Sequence, residues 1–276
     1  MDTDALLGAA AILAEARRVV VFTGAGISAE SGVPTFRDDL TGLWALYEAE
    51  ELATPEAFHR DPDLVWGWYE WRRNRVRRAE PNAGHFATAA IEAMVPGSVV
   101  ITQNVDDLHE RAGSPAPLHL HGSLFAPRCI GPDAHPFTGT LPDPPADAGA
   151  DGDPDAAADA EPDPEADPDA DGRRVPPPRC LACGMLVRPG VVWFGEVLPA
   201  AAWTGANEAA ANCDVLLTVG TSGVVYPAAE LPRIARRTGA TVIQVNPAPT
   251  ALDVVSTINL RGAAAEVLPA LVAAAR

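Results

Sequence analysis

Lysine is absent: all 20 basic residues are arginine, so acylation of the chain on its own lysine side chains is excluded. Cysteine is scarce too. Four in 276 residues, without the spacing of a disulfide framework, fit a reducing compartment. No apolar run is long enough to cross a bilayer, and no secretory leader or lipidation motif is evident. A soluble, cytoplasmic protein without a membrane partner is therefore expected. Aromatic residues make up only 6%, yet hydrophobic residues reach 47%, ample for one large or two modest domains.

Positive charge is outnumbered, 20 basic against 37 acidic residues, for a net charge of −17. The imbalance is local. Between Asp133 and Asp171 lie 13 acidic residues and no arginine; outside that stretch 24 acids face 20 bases, a net of −4. The segment from about Pro142 to Pro178 is built from Asp, Ala, Pro and Gly. It is short of the side chains that offset ordering entropy, so it is predicted to be disordered. It reads as an inert low-complexity insertion or as an acidic arm that attracts basic proteins and repels nucleic acid. Its carboxylates would hold metal only weakly. No specific nucleic-acid partner is expected.

Function-bearing residues concentrate elsewhere. Thr102-Gln103-Asn104-Val105-Asp106-Asp107-Leu108-His109 follows the apolar run Ser98-Val99-Val100-Ile101, and His119-Leu120-His121-Gly122 lies ten residues beyond. The apolar run reads as a buried strand. Ligands of open α/β sheets bind at the carboxyl ends of such strands. Asp106 or Asp107 can equally cap a helix, since Asn and Asp are common turn residues. A second apolar run, Arg18-Val19-Val20-Val21-Phe22-Thr23, leads into Gly24-Ala25-Gly26-Ile27-Ser28-Ala29. This is a Gly-x-Gly-x-x-Ala turn between strand and helix, where glycines admit a pyrophosphate close to the backbone. The acidic residue that a dehydrogenase carries about 20 positions later, at the end of a second strand, is not clearly present. Glu48, Glu50 and Glu51 fall nearby in a sequence that looks helical. An ordinary dehydrogenase is disfavoured.

In order, these pieces resemble the sirtuins, NAD-dependent protein deacylases. The matching segments are Gly24–Ser28, Gly32-Val33-Pro34-Thr35-Phe36-Arg37, Pro81-Asn82-Ala83-Gly84-His85, Thr102–Gly113, His119–Ser123, Val191-Val192-Trp193-Phe194-Gly195-Glu196, Val219-Gly220-Thr221-Ser222 and Val245-Asn246. They cover the chain except for about residues 131–175. In the chemistry the resemblance implies, the acyl-lysine carbonyl oxygen attacks the ribose carbon that bears nicotinamide. A histidine then deprotonates a ribose hydroxyl. His121 matches that histidine, and a near-neutral pKa suits a general base.

The resemblance assigns Gly24, Ala25, Gly26, Ile27, Phe36 and Arg37 to the cofactor loop, with Phe36 a lid over nicotinamide. Gln103, Asn104 and Asp106 match ribose and nicotinamide contacts. Gly220, Thr221, Ser222 and Asn246 match the phosphates and the adenosine end. His109 and His119 read as structural. Val192, Phe194, Gly195 and Glu196 match the segment that binds the substrate peptide by main-chain pairing, with little sequence preference.

Tyr69 and Arg72 lie three apart, so a helix puts them on one face. A phenol and a guanidinium together can hold a carboxylate. Arg73, Arg75, Arg77 and Arg78 follow, so a solvated basic face accounts for the same residues. The stretch resembles class III sirtuins, where such a pair binds succinyl- or malonyl-lysine and a small residue, here Ala53, widens the acyl pocket. Desuccinylation and demalonylation are implied, with deacetylation as a second activity.

Sirtuins usually hold structural zinc in two Cys-x-x-Cys pairs. Cys180 and Cys183 form one; Cys129 begins the other, but Pro132 stands where the fourth sulfur belongs. His135 or Asp133 can complete a Cys3His-type or mixed tetrahedron, or the site has lost its metal. Cys213, at the entry to an apolar run, reads as a small buried hydrophobe.

The expected architecture is α/β: a Rossmann-like parallel sheet with a smaller lobe made of a helical and a zinc-ribbon-like insertion. Residues 1–37, 81–122 and 189–276 form the NAD-binding domain, 38–80 the helical insertion and 123–188 the cysteine-bearing one. Strands are predicted at 18–23, 98–102, 117–120, 191–194, 214–219 and 241–245, and helices at 4–17, 86–94, 205–212, 228–238 and 262–275. NAD and the acylated peptide are expected in the cleft between lobes. Nothing in the sequence decides the oligomeric state; a monomer fits the family. Two other functions share the same residues: a mono-ADP-ribosyltransferase using the same NAD site, and a non-catalytic NAD or ADP-ribose sensor.

Overall fold

The computed structural model describes residues 2–33, 48–131, 135–141 and 174–276. Phe36, Arg37, Asp133 and most of the acidic stretch lie outside these residues. In chain order the described elements begin with α1 (Thr3–Glu15), β1 (Val19–Thr23), α2 (Ala49–Leu52), α3 (Pro55–Arg60) and α4 (Pro62–Arg78). Then come α5 (Ala83–Met94), β2 (Val99–Thr102), α6 (Leu108–Arg111), β3 (Leu118–His119), β4 (Gly122–Cys129) and β5 (Val187–Val191). The chain closes with α7 (Ala200–Asn212), β6 (Val215–Val219), α8 (Leu231–Arg237), β7 (Thr241–Val245), β8 (Ile258–Leu260) and α9 (Ala264–Ala275). Two compact units emerge: Met1–Thr35 with Ala79–Gly122 and Val197–Arg276, and Phe36–Arg78 with Ser123–Glu196.

The first unit is a six-stranded sheet in the order β3-β2-β1-β6-β7-β8, every pair parallel. β1 is buried at all five positions, as a strand covered on both faces must be. Its alternation divides the core. Val19 and Val21 pack with α1, α5 and α9, including Leu13, Ile91 and Leu268. Val20 and Phe22 pack with α7 and α8, including Ala206, Ala210 and Leu231. The Asp2 carboxylate caps α1 by accepting the N–H groups of Asp4 and Ala5. Asn82 caps α5, and His85 returns the bond through its Nδ1.

The second unit holds α2–α4 and the antiparallel pair β4–β5. Here the structure corrects one expectation: residues 191–194 are not a strand of the parallel sheet. β5 stops at Val191 and belongs to the two-stranded sheet. The run loses its ladder because the Trp193 N–H goes to the Glu196 carboxylate at 2.8 Å and the Phe194 N–H to the Ala53 carbonyl at 3.0 Å. A turn at Gly195, with φ of +83°, completes the break. α4 is not a uniformly solvated basic face either. Arg73 is fully buried, paired with Glu70 and donating to the Leu124 carbonyl at 2.9 Å.

Candidate active site

Strand order places the carboxyl ends of β2, β1 and β6 side by side, and the first unit's polar residues gather there. Gly24 follows β1 and donates to the Val219 carbonyl at 2.9 Å; Gly26 donates to the Gly220 carbonyl at 2.9 Å. The two loops touch so closely that a Cβ on Gly26 would lie 2.7 Å from the Gly220 Cα. A Cβ on Gly220, at φ +59°, would lie 2.5 Å from the Ile27 nitrogen. Only glycine fits both requirements. Asn82 pins the turn by donating to the Ile27 carbonyl at 2.7 Å.

Behind the turn, Ser28 is a buried hub. Its hydroxyl donates to Asp106 Oδ2 at 3.0 Å, accepts from Asn104 Nδ2 at 3.0 Å, and meets His85 Nε2 at 3.4 Å. Burial raises the Asp106 pKa, opposed by the bonds from Leu108 and Ser28. Desolvation lowers His85 to about 4 and His109 to about 3, so both rings are neutral at physiological pH. His109 Nε2 sits 2.9 Å from Thr23 Oγ1, which donates to Thr102 Oγ1 at 2.9 Å. Thr102 Oγ1 in turn accepts the Asn104 N–H at 3.0 Å.

His121 is half-buried, with Nδ1 2.9 Å from the Gln103 carbonyl. A carbonyl only accepts, so Nδ1 carries the proton and Nε2 keeps its lone pair. Burial lowers the His121 pKa, opposed by that backbone bond. His119 differs: both nitrogens are engaged, by the Asn104 carbonyl at 3.1 Å and Glu110 at 2.7 Å. Burial works against its charge, but the Glu110 bond and charge prevail and raise its pKa. Gln103 Nε2 donates to Thr221 Oγ1 at 2.8 Å, and Asn246 Nδ2 to the Thr221 carbonyl at 3.2 Å. The structure thus brings together Gly24, Gly26, Gln103, Asn104, Asp106, His121, Gly220, Thr221 and Asn246, all within the first unit.

Ala53, Tyr69 and Arg72 all belong to the second unit. Ala53 and Tyr69 are buried, and the Trp193 indole N–H donates to the Tyr69 hydroxyl at 3.0 Å. Burial pushes the Tyr69 pKa up to about 12, opposed by Arg72 and the Trp193 bond. The Arg72 guanidinium lies 5.0 Å from the Trp68 ring centroid and 6.0 Å from that of Tyr69. Glu196 faces its own unit: besides the Trp193 N–H it takes Arg188 at 2.5 and 2.9 Å and Arg128 at 3.3 Å. Phe194 is half exposed.

Cys129, His135, Cys180 and Cys183 form a cluster whose ligand atoms all lie within 4.8 Å of one another. His135 Nδ1 is 2.8 Å from the Pro136 carbonyl, which only accepts, so Nδ1 carries the proton and Nε2 keeps its lone pair, facing Cys180. Backbone N–H groups, that of Thr138 foremost, lower the Cys180 thiol. Cys213 is buried and apart from the cluster, with its pKa raised by desolvation.

The family described as Sir2 matches residues 24–227. The chain belongs to the Sir2 family. A protein of Methylococcus capsulatus named NAD-dependent protein deacylase is 57% identical over 267 residues, 96% of this chain and 95% of its own. One of Pseudomonas aeruginosa named NAD-dependent protein deacylase 1 is 53% identical over 94% of this chain and 95% of its own. Among solved structures, a Sir2 homologue in complex with NAD is 42% identical with a TM-score of 0.80, covering 99% of this chain and 93% of that one. A Sir2 protein bound to a myristoylated histone peptide is 34% identical with a TM-score of 0.68, covering 99% and 97%.

Within this Sir2 chain, sequence reasoning passed over Ser28, His85, Trp193 and Arg188. Ser28 directly follows the glycine turn, a position that could have marked it. The closeness of the two loops yields a prediction. Gly220→Ala should raise the KM for NAD at least about tenfold, because the loops must part to admit the methyl group. A titration of NAD at saturating peptide measures this, with circular dichroism confirming the fold.

Proposed function

We propose that this Sir2 chain is an NAD-dependent protein lysine deacylase that prefers acidic acyl groups, succinyl and malonyl, and takes acetyl as a second substrate. The products are nicotinamide and 2′-O-acyl-ADP-ribose. The acidic preference rests on one observation: a protonated, buried phenol and a guanidinium stand together on one face of α4. An apolar acyl tail has no use for either group, and a carboxylate uses both.

The glycine turn after β1 fits a dinucleotide-binding loop, since Gly24, Gly26 and Gly220 let it approach the loop after β6 so closely that a Cβ on any of them would collide with the other loop. Gly24, Ala25, Gly26 and Ile27, with Gly220, Thr221, Ser222 and Asn246, would hold the phosphates and the adenosine end. Gln103 would hold a ribose, and Asn104 and Asp106 the nicotinamide side. Phe36 and Arg37 belong to the same cofactor loop by family resemblance. When bound, NAD supplies an electrophilic ribose carbon and a nicotinamide leaving group. His121 accepts a proton at Nε2, its Nδ1–H held by the Gln103 carbonyl. Ser28 keeps the Asp106 carboxylate and the Asn104 amide in place. Val192, Phe194, Gly195 and Glu196 form the segment that receives the peptide, braced from behind by Arg188.

Zinc fits the Cys129–His135–Cys180–Cys183 cluster by donor chemistry, three thiolates and an imidazole within reach of one ion. Its role would be structural. Elemental analysis should find one zinc per chain, lost in His135→Ala. Chelation should lower the melting temperature by about 10 °C, because metal binding is coupled to folding of the module. An unchanged melting temperature on chelation would show that the module folds without metal.

The deciding experiment is mass-spectrometric turnover of matched succinyl- and acetyl-lysine peptides with and without NAD. Faster NAD-dependent turnover of succinyl-lysine supports the reading. Acetyl-only turnover removes the acidic preference and keeps deacylation. ADP-ribose transferred to protein, with no acyl product, would make the chain a transferase.

A further inference from the structure

Tyr69 can grip an acyl carboxylate only if its hydroxyl is aimed, and four contacts inside the second unit do the aiming. The indole N–H of Trp193 is a donor only, so the 3.0 Å bond makes the Tyr69 oxygen its acceptor. The hydroxyl's own hydrogen is thereby turned away from Trp193, and among the described residues no acceptor takes it. Trp193 is itself fixed on every side. Its backbone N–H donates to Glu196 at 2.8 Å. The Arg188 guanidinium lies 3.4 Å from its ring centroid and grips the same Glu196 carboxylate with two bonds. Arg188 also donates to the Val191 carbonyl at 3.0 Å, which ties the clamp to the end of β5. Phe58 packs against the indole as well, ring centroids 5.4 Å apart. An indole so restrained has one place to put its N–H.

We propose that Trp193 is a specificity-determining positioning residue: clamped by Arg188 and Glu196, it sets the Tyr69 hydroxyl as a hydrogen-bond donor toward the carboxylate of an acidic acyl group. Trp193 touches neither acyl carboxylate nor NAD in this account; it acts through Tyr69. The inference rests on the acidic-acyl reading above. It explains why a tryptophan is useful at this position, since among apolar aromatic side chains only the indole carries an N–H.

The test is a double-mutant cycle read separately on succinyl- and acetyl-lysine peptides. Trp193→Phe keeps an aromatic ring and removes the donor. KM for succinyl peptide should rise about tenfold, the size of one hydrogen bond in a dry site, while acetyl turnover changes less than about twofold. In a Tyr69→Phe background, Trp193→Phe should add less than about twofold on succinyl peptide, because its route of action is gone. Equal losses on both substrates would make Trp193 a packing residue only and overturn the proposal. So would an undiminished succinyl preference in Trp193→Phe, or full additivity of the two substitutions. If the unsubstituted enzyme shows no succinyl preference at all, the acidic-acyl reading itself fails, an outcome visible before any variant is compared.

Discussion

His121→Gln should reduce deacylation by about two to four orders of magnitude, the range general-base catalysis contributes, and leave the melting temperature nearly unchanged. The asymmetry follows from how the ring is held. Among the described residues its one hydrogen bond runs from Nδ1 to the Gln103 carbonyl, and Nε2 takes no part in holding the ring. Glutamine can keep a donor toward that carbonyl but offers no basic lone pair near neutrality. Acid should mimic the substitution reversibly. Burial lowers the His121 pKa below its ordinary value of about 6.5, so Nε2 is free at neutral pH and is lost as pH falls through the lowered value. The acid limb of kcat/KM should therefore inflect below about pH 6.5 and vanish in His121→Gln. A variant that kept full turnover and the same acid limb would assign the base to another group.

The neighbouring imidazoles sharpen this assignment. His109 and His85 are driven to about 3 and about 4 by burial, too low to take a proton and return it near neutrality. His119 is tied at both nitrogens. Of the four rings near the carboxyl ends of β1, β2 and β3, His121 alone combines an anchored Nδ1 with an Nε2 that no described residue engages.

Much of the sheet was legible because its strands are buried on both faces and so read as continuous apolar runs. Val19-Val20-Val21-Phe22 and Val215-Leu216-Leu217 are examples. The same rule misled at Val191-Val192-Trp193-Phe194, equally apolar but with only Val191 inside a strand. What ends that strand is a carboxylate three residues on and a carbonyl at Ala53, and neither shows in a hydrophobic pattern. β8 went unread because three residues after a long turn carry too little pattern. Ser28 escaped for a related reason: its importance lies in partners 57, 76 and 78 residues away. The metal cluster shows the boundary well. Three cysteines could be assigned from spacing, but choosing His135 as the fourth donor needed coordinates, since a β-bridge between Arg128 and Pro136 brings it back to Cys129.

The second large effect is selective. Arg72→Met should cut kcat/KM for succinyl-lysine peptides by about a hundredfold and change deacetylation by less than about threefold. A charge-assisted bond to a carboxylate in a partly buried site is worth about 1.5–3 kcal/mol, or roughly 10- to 150-fold. The acetyl group presents only a methyl, and methionine approximates the aliphatic stem it would meet. The surrounding aromatic rings make the number large. Trp68 and Tyr69 flank the guanidinium with low-polarity surface, so water competes poorly for the carboxylate. Arg72→Lys separates charge from shape: a lysine keeps the cation but loses the planar fork, so it should recover only part of the loss. If Arg72→Met depresses both substrates equally, Arg72 supports α4 rather than the acyl group, and the Tyr69–Arg72 pair returns to being a feature of the helix surface. If only succinyl turnover falls, then specificity for acidic acyl groups rests on the Tyr69–Arg72 turn of α4 and the Trp193 clamp that aims it.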